Sequence, residues 1–302
     1  MELSFRLTDE FVKGYSKKEV QWGFPDAGGN SIGELTFLRT YSRIKSNGQK
    51  EKWYEVCRRV IEGTYSILKD HCVSNRLPWN EHKARVSAEE AYTRMFDMKW
   101  LPPGRGLWMM GTSFVHDGEG NSAPLQNCAF VSTSDMTKYH PEKPYMFLME
   151  ASMLGVGVGF DTEGVMKGIT IHKPGEPRPY VVQHPEGIDS REGWCETTGA
   201  WLRAYLCANQ PTPSIDYSDI RPAGTPIKTF GGVAAGPGPL IHLHQAIFDL
   251  FEGREGESLT SKDIVDIANL IGQCVVSGNV RRSAELALGE PDDEVFLNLK
   301  NY

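Results

Sequence analysis

A chain of 302 residues with 40% hydrophobic and 24% charged residues has the composition of a globular protein, with room for one large domain or two ordinary ones. Its formal net charge of −7 excludes the basic footprint of a non-specific nucleic-acid binder, and no run of about eighteen apolar residues is available to span a membrane. The amino terminus, MELSFRLTDEF, is acidic where a secretory signal is basic. The reading is therefore cytoplasmic, with the six cysteines (57, 72, 128, 195, 207 and 274) as thiols rather than a disulfide framework.

Residues 1–100 read as a mainly helical domain and 101–302 as a second, α/β one. KWYEVCRRVIEGTYSIL (52–68) sets Trp53, Val56, Cys57, Val60, Ile61, Tyr65 and Leu68 at helical spacing. Ser87 and Glu90 form a capping box for a second helix, which the prolines and glycines of LPPGRG (101–106) should stop. Beyond that point strands and helices alternate. NCAFVS (127–132) reads as a strand, YMFLMEASML (145–154) as a helix, and GVGVGF (155–160) as a turn into a strand. WCETTGAWLRAYLCAN (194–209) reads as a helix and SIDYSDIRP (214–222) as a strand and turn. The clearest helix is LTSKDIVDIANLIGQCVVSG (259–278). Thr260 is its N-cap, Ile264, Ile267, Ala268, Ile271 and Val275 form one face, and Gly278 ends it. SAELAL (283–288) then alternates as a strand, and FLNLKNY (296–302) reads as part of a further helix. This order predicts an α/β barrel or a layered sheet.

Two familiar sites fail on context. Gly155, Gly157 and Gly159 follow a helix and precede a strand, the reverse of a dinucleotide-binding loop. His242 and His244 have no third ligand at a recognised spacing, so no metal site is assigned. Cys128 taken alone reads as a core-filling thiol, and Arg281 and Arg282 as loop charges free to meet solvent or a nucleotide.

Seven motifs in order change that reading: LPPGRGLWMMGT, LQNCAFV, GVGVGF, DSREGW, DYSDIRPAG, FGGVAAGPGPL and SGNVRRSAELALG. Together they resemble the adenosylcobalamin-dependent ribonucleoside-triphosphate reductases, and the likeness runs from ELTFLRTYSR (34–43) to the end of the chain. It is weaker to the large subunits of iron-dependent diphosphate reductases, which remain an alternative, as does a non-catalytic nucleotide-binding fragment. The resemblance implies the first half of a ten-stranded α/β barrel. It implies thiol-dependent radical reduction of ribonucleoside triphosphates for DNA synthesis, with adenosylcobalamin bound mainly by a C-terminal part of the enzyme.

Carried over residue by residue, the resemblance makes Cys128 one member of the reducing thiol pair. Asn127, Gly111, Thr112, Gly157 and Gly159 would line the substrate pocket. Asp135, Lys167, Asn279, Arg281 and Arg282 would meet a deoxynucleoside-triphosphate effector. The radical cysteine, the partner of Cys128 and the catalytic glutamate would lie in the C-terminal half. Expected partners are that half and a thioredoxin-type reductant, with neither nucleic acid nor membrane. The chain without that half is expected to be inactive.

Overall fold

The structure is a computed structural model that describes residues 3–24, 29, 31–116, 125–226, 233–277 and 284–300. It divides into two compact units, residues 1–125 and 126–302. The helical stretch thus continues some way past the expected boundary near residue 100.

The first unit is built from α1 (Asp9–Lys13), α2 (Ile32–Thr36) with a π-helical turn at Phe37–Tyr41, α3 (Trp53–Ser74), α4 (Glu81–Phe96), α5 (Gly104–Met109) and α6 (Ser113–His116). The apolar stripe of α3 (Trp53, Val56, Cys57, Val60, Ile61) packs on Ala88, Tyr92, Met95 and Phe96 of α4. Residues 4–7 are strapped to α3 by polar groups. Glu62, 2% exposed, accepts from Leu7 N (3.1 Å), Arg6 Nη1 (2.9 Å) and Arg58 Nε (2.8 Å), and Ser66 Oγ accepts from Phe5 N at 3.1 Å. A buried carboxylate is tolerated there because every neighbour is a donor.

Two expectations are corrected here. The second long helix starts at Glu81, not at Ser87. Asn80 Oδ1 caps it by accepting from Lys83 N (2.9 Å), while Ser87 sits mid-helix with its hydroxyl 2.6 Å from Tyr65 Oη. Asparagine is as good a cap as serine, and it comes first. LPPGRG does not stop α4, which already ends at Phe96 where Met98 turns left-handed (φ +56°); its glycines lie instead in α5, with Pro103 just ahead of it. Gly104 has a packing reason to be glycine, since a Cβ there would lie 2.7 Å from Tyr41 Oη.

In the second unit β1 (Cys128–Val131) leads through a 3₁₀ turn (Thr133–Asp135) and α7 (Lys143–Met153) to β2 (Gly157–Asp161), followed by a second 3₁₀ turn (Glu163–Lys167). The chain continues as β3 (Gly175–Pro179), α8 (Arg191–Leu206), β4 (Pro211–Ser214), α9 (Gly238–Phe251), α10 (Ser261–Val276), β5 (Glu285–Leu288) and α11 (Glu294–Leu297). β1, β2 and β5 form one parallel sheet in the order β1-β2-β5, and β3 and β4 pair separately. Val158 and Phe160 turn to the buried side, where α7 and α10 pack. Strand–helix alternation therefore produces a mixed α/β fold with parallel pairing, as connections through helices require.

α10 follows its sequence pattern closely, with Thr260 as N-cap and Ile264, Ile267, Ala268, Ile271 and Val275 buried. Gly278 lies outside the described residues. The strand expected at 214–222 is instead β4, ending at Ser214. From Asp216 onward side chains shape a loop: Asp216 Oδ1 accepts from Ser218 N (2.9 Å), and the Arg221 N and Nε bond the Asp189 carboxylate (3.1 and 2.7 Å). The last helix is also shorter than expected, because Asp293 caps it (2.9 Å to Val295 N) and it closes at Leu297.

His244 is 1% exposed inside α9. Its Nδ1 lies 2.7 Å from Tyr217 Oη and its Nε2 3.3 Å from Thr198 Oγ1. Burial lowers its pKa to about 3, so it is a neutral hydrogen-bonding core residue, whereas His242 is exposed.

Candidate active site

The side of the β1-β2-β5 sheet away from the buried Val158 and Phe160 carries Cys128 and Phe130 of β1, Gly157 and Gly159 of β2, and Leu286 of β5. Register places Cys128 beside Gly157 and Phe130 beside Gly159. Cys128 is exposed on this face. The other cysteines behave differently. Burial pushes the thiols of Cys195 and Cys274 up to about 12 and that of Cys207 up to about 11, and Cys57 is also held protonated by burial.

The two glycines serve different ends. A Cβ on Gly159 would lie 2.9 Å from the Phe130 ring, so packing alone demands glycine there. A Cβ on Gly157 would make only ordinary contacts, the nearest being Ala284 O at 3.5 Å. Packing therefore does not demand glycine at 157, which lies beside Cys128 in register. Asn127 is exposed at the mouth of β1, and its carbonyl accepts from Gly157 N at 2.9 Å.

Asp135 and Lys167 end the two 3₁₀ turns and are both exposed. Those turns are locked together by Thr133, whose hydroxyl donates to Asp161 (2.8 Å to Oδ1) and accepts from Gly164 N (2.8 Å). Asp161 also accepts from Thr133 N at 2.8 Å and Glu163 N at 3.2 Å. Burial works to raise its pKa, but the hydrogen bonds from Ser132, Thr133 and Glu163 outweigh it and hold the carboxylate ionised. Sequence reading overlooked Asp161 and Thr133; a carboxylate ending a glycine-rich strand was the available signal. Asn279, Arg281 and Arg282 lie outside the described residues.

Gly111 and Thr112 belong to the first unit. Gly111 has φ +76°, a conformation favouring glycine, and both residues are buried. Thr112 turns its hydroxyl back to Met109 O at 2.6 Å. The backbone around them is held by Arg59, Arg43 and Glu51, which sequence reading also passed over, since the helical pattern of α3 drew notice only to its apolar face.

Glu285 of β5 points inward at α10. Its Oε1 has no hydrogen-bond partner, and a Cβ on Gly272 would sit 2.5 Å from it. Burial pushes its pKa up to about 7. A folded pKa above the unfolded value means that this group's stabilising contribution is present at low pH and lost as pH rises through 7. Glu285→Gln should therefore be more stable than the parent by about 2 kcal/mol at pH 8, with the two converging near pH 4.5. Urea midpoints at the two pH values check this; a difference independent of pH would contradict it.

Comparison with known proteins follows the same lines. Residues 7–112 match the ribonucleotide reductase alpha domain, and residues 179–251 match the insertion domain of B12-dependent ribonucleotide reductases. The chain is 46% identical over 310 residues to a probable adenosylcobalamin-dependent ribonucleoside-triphosphate reductase of Dictyostelium discoideum, covering 99% of this chain and 40% of the relative. Identity to the corresponding reductase of Euglena gracilis is 45% over 300 residues, with the same coverage. A crystal structure of a B12-dependent (class II) ribonucleotide reductase matches with a TM-score of 0.79 at 27% identity, over 98% of this chain and 46% of that one.

Over nearly its whole length the chain is similar to part of the B12-dependent ribonucleotide reductases. It spans about two-fifths of the length of the Dictyostelium and Euglena relatives. The insertion-domain match is specific to the B12-dependent reductases and favours that branch over the iron-dependent large subunits. Adenosylcobalamin, named for those reductases, does not fit the cavity of the first unit. A cavity of about 350 Å³ in the first unit is small for a corrin and lined by Arg6, Arg58, Arg59, Glu55 and Glu62. The sheet face around Cys128 is only three short strands wide.

Proposed function

We propose that this chain supplies the reducing-thiol face and the effector turns of an adenosylcobalamin-dependent ribonucleoside-triphosphate reductase acting in the cytoplasm. The observation that carries the reading is an exposed Cys128 in register with Gly157, where packing does not demand glycine. A ribose laid on this face meets a thiol and bare backbone. In the balanced reaction the 2′-hydroxyl leaves as water and the 2′ carbon gains hydrogen. The two electrons come from Cys128 and a second thiol, whose sulfurs join as a disulfide. A thioredoxin-type dithiol then restores the pair. The cofactor, when bound, supplies the radical chemistry that starts the reaction; we assign it, the second thiol and the rest of a ten-stranded barrel to the remainder of the enzyme.

Asn127, Gly111 and Thr112 are each assigned to substrate binding in this reading. Asp135 accepts a hydrogen bond from the effector's deoxyribose, Lys167 meets its phosphates, and Asn279, Arg281 and Arg282 pass effector identity to the substrate site.

A full-length protein containing residues 1–302 should convert CTP to dCTP with adenosylcobalamin and a dithiol, whereas residues 1–302 alone should form no deoxynucleotide. Failure of the full-length protein would overturn the function. Product above a blank from residues 1–302 would overturn the need for the rest.

A further inference from the structure

A short helix leaves its last carbonyls without partners, and α5, six residues long, ends directly in the LWMMGT loop. Here each of those carbonyls is accounted for. Gly106 O accepts from Met110 N (3.1 Å), and Met109 O accepts from Thr112 N (3.1 Å) and Oγ1 (2.6 Å). The others go to arginine. Leu107 O accepts from Arg59 Nη2 (2.9 Å) and Met110 O from Arg59 Nη1 (2.6 Å). Trp108 O accepts from Arg43 Nη1 (3.2 Å) and Arg59 Nη1 (3.5 Å).

Arg59 is itself fixed from behind. Glu51 accepts from its Nε (2.8 Å) and Nη2 (2.9 Å), and both side chains are only 11% exposed. All five donors of the guanidinium are thereby used, two on the carboxylate and three on the loop. Glu51 also accepts from Arg43 N at 3.3 Å, so one carboxylate serves both arginines. Close backbone contact completes the arrangement, since a Cβ on Gly63 would lie 2.4 Å from Gly111 N.

We propose that Arg59, oriented by Glu51 and assisted by Arg43, is a positioning residue that sets the backbone of the 107–112 loop for substrate binding. The proposal rests on the reading of that loop as part of the substrate pocket. A lysine has three donors and no planar fork, so it cannot hold both the carboxylate and three loop carbonyls. The arrangement joins RTYSR to LPPGRGLWMMGT, far apart in sequence: Arg43 donates to Trp108 O, and Tyr41 packs where a Cβ on Gly104 would sit.

The test uses the full-length reductase with Arg59→Lys and, separately, Glu51→Gln. Substrate KM should rise about tenfold or more in each, with kcat changed much less and the melting temperature nearly kept. Hydrogen exchange of residues 107–113 with and without ribonucleoside triphosphate supplies the second readout. The parent should show protection by substrate and the variants should lose it. Unchanged KM and retained protection in either folded variant would overturn the positioning role while leaving the loop reading intact. No substrate protection in the parent would overturn the loop reading, and the proposal with it. Should Arg59→Lys fail to fold, Glu51→Gln and Arg43→Lys carry the same test.

Discussion

Cys128→Ser in the full-length enzyme ends multiple turnover and leaves the melting temperature within about 2 °C of the parent. Serine nearly preserves the volume of the thiol, so the change costs little packing. Serine matches cysteine closely in size but cannot join a second sulfur, so the two electrons required per deoxynucleotide are no longer available from this pair. Deoxynucleotide yield per enzyme over time, measured beside a thermal melt, separates the alternatives. Near-normal yield would remove Cys128 from the reaction; lost yield together with a large drop in melting temperature would make it a structural residue instead.

The largest stability effect is expected from Gly111→Ala. At φ +76° an L-residue costs about 1–2 kcal/mol. The new Cβ would also lie 2.0 Å from the backbone oxygen of Arg59, which no rotamer change relieves. Overpacking adds about 1–3 kcal/mol, for a total of about 2–5 kcal/mol. Gly48→Ala is the internal control. Its φ is +78°, but its Cβ would meet nothing within 4 Å, so it pays the conformational part alone. Urea unfolding of both variants isolates the difference; equal losses would mean that the loop does not press against α3 as described.

What the sequence disclosed, and what it withheld, follows from the range of the interactions. α3 and α10 were readable because their apolar spacing is local, and Thr260 announced its helix through a hydroxyl bound three residues away. Ser87 misled because the capping pattern it makes with Glu90 was complete on paper, while Asn80 had already started the helix. The segment after Ser214 read as a strand until Tyr217 and Arg221 were seen tied to His244 and Asp189, partners that no local pattern reveals. The same holds at the site. Cys128, Gly157 and Gly159 could be singled out only through the ordered motifs around them, since β-pairing brings them together from separate segments. Arg59 stayed hidden because it bonds backbone carbonyls about fifty residues further along the chain, and Glu51 because it acts by holding Arg59.

The position of β5 in its sheet bears on how the second unit comes to be made. β1, α7 and β2 are consecutive and can associate as soon as they exist. β5 joins β2 only after β3, α8, β4, α9 and α10 have been laid down between them. Closing so long a stretch of chain costs entropy before any strand pairing offsets it. Docking of β5 is therefore expected to be the slow event, a refolding phase that a destabilising change in β5 should lengthen in stopped-flow fluorescence; α10, capped by Thr260 and braced by the Arg254–Asp263 ion pair, is the helix that precedes it. The rate at which this half matures is written into the order of three strands.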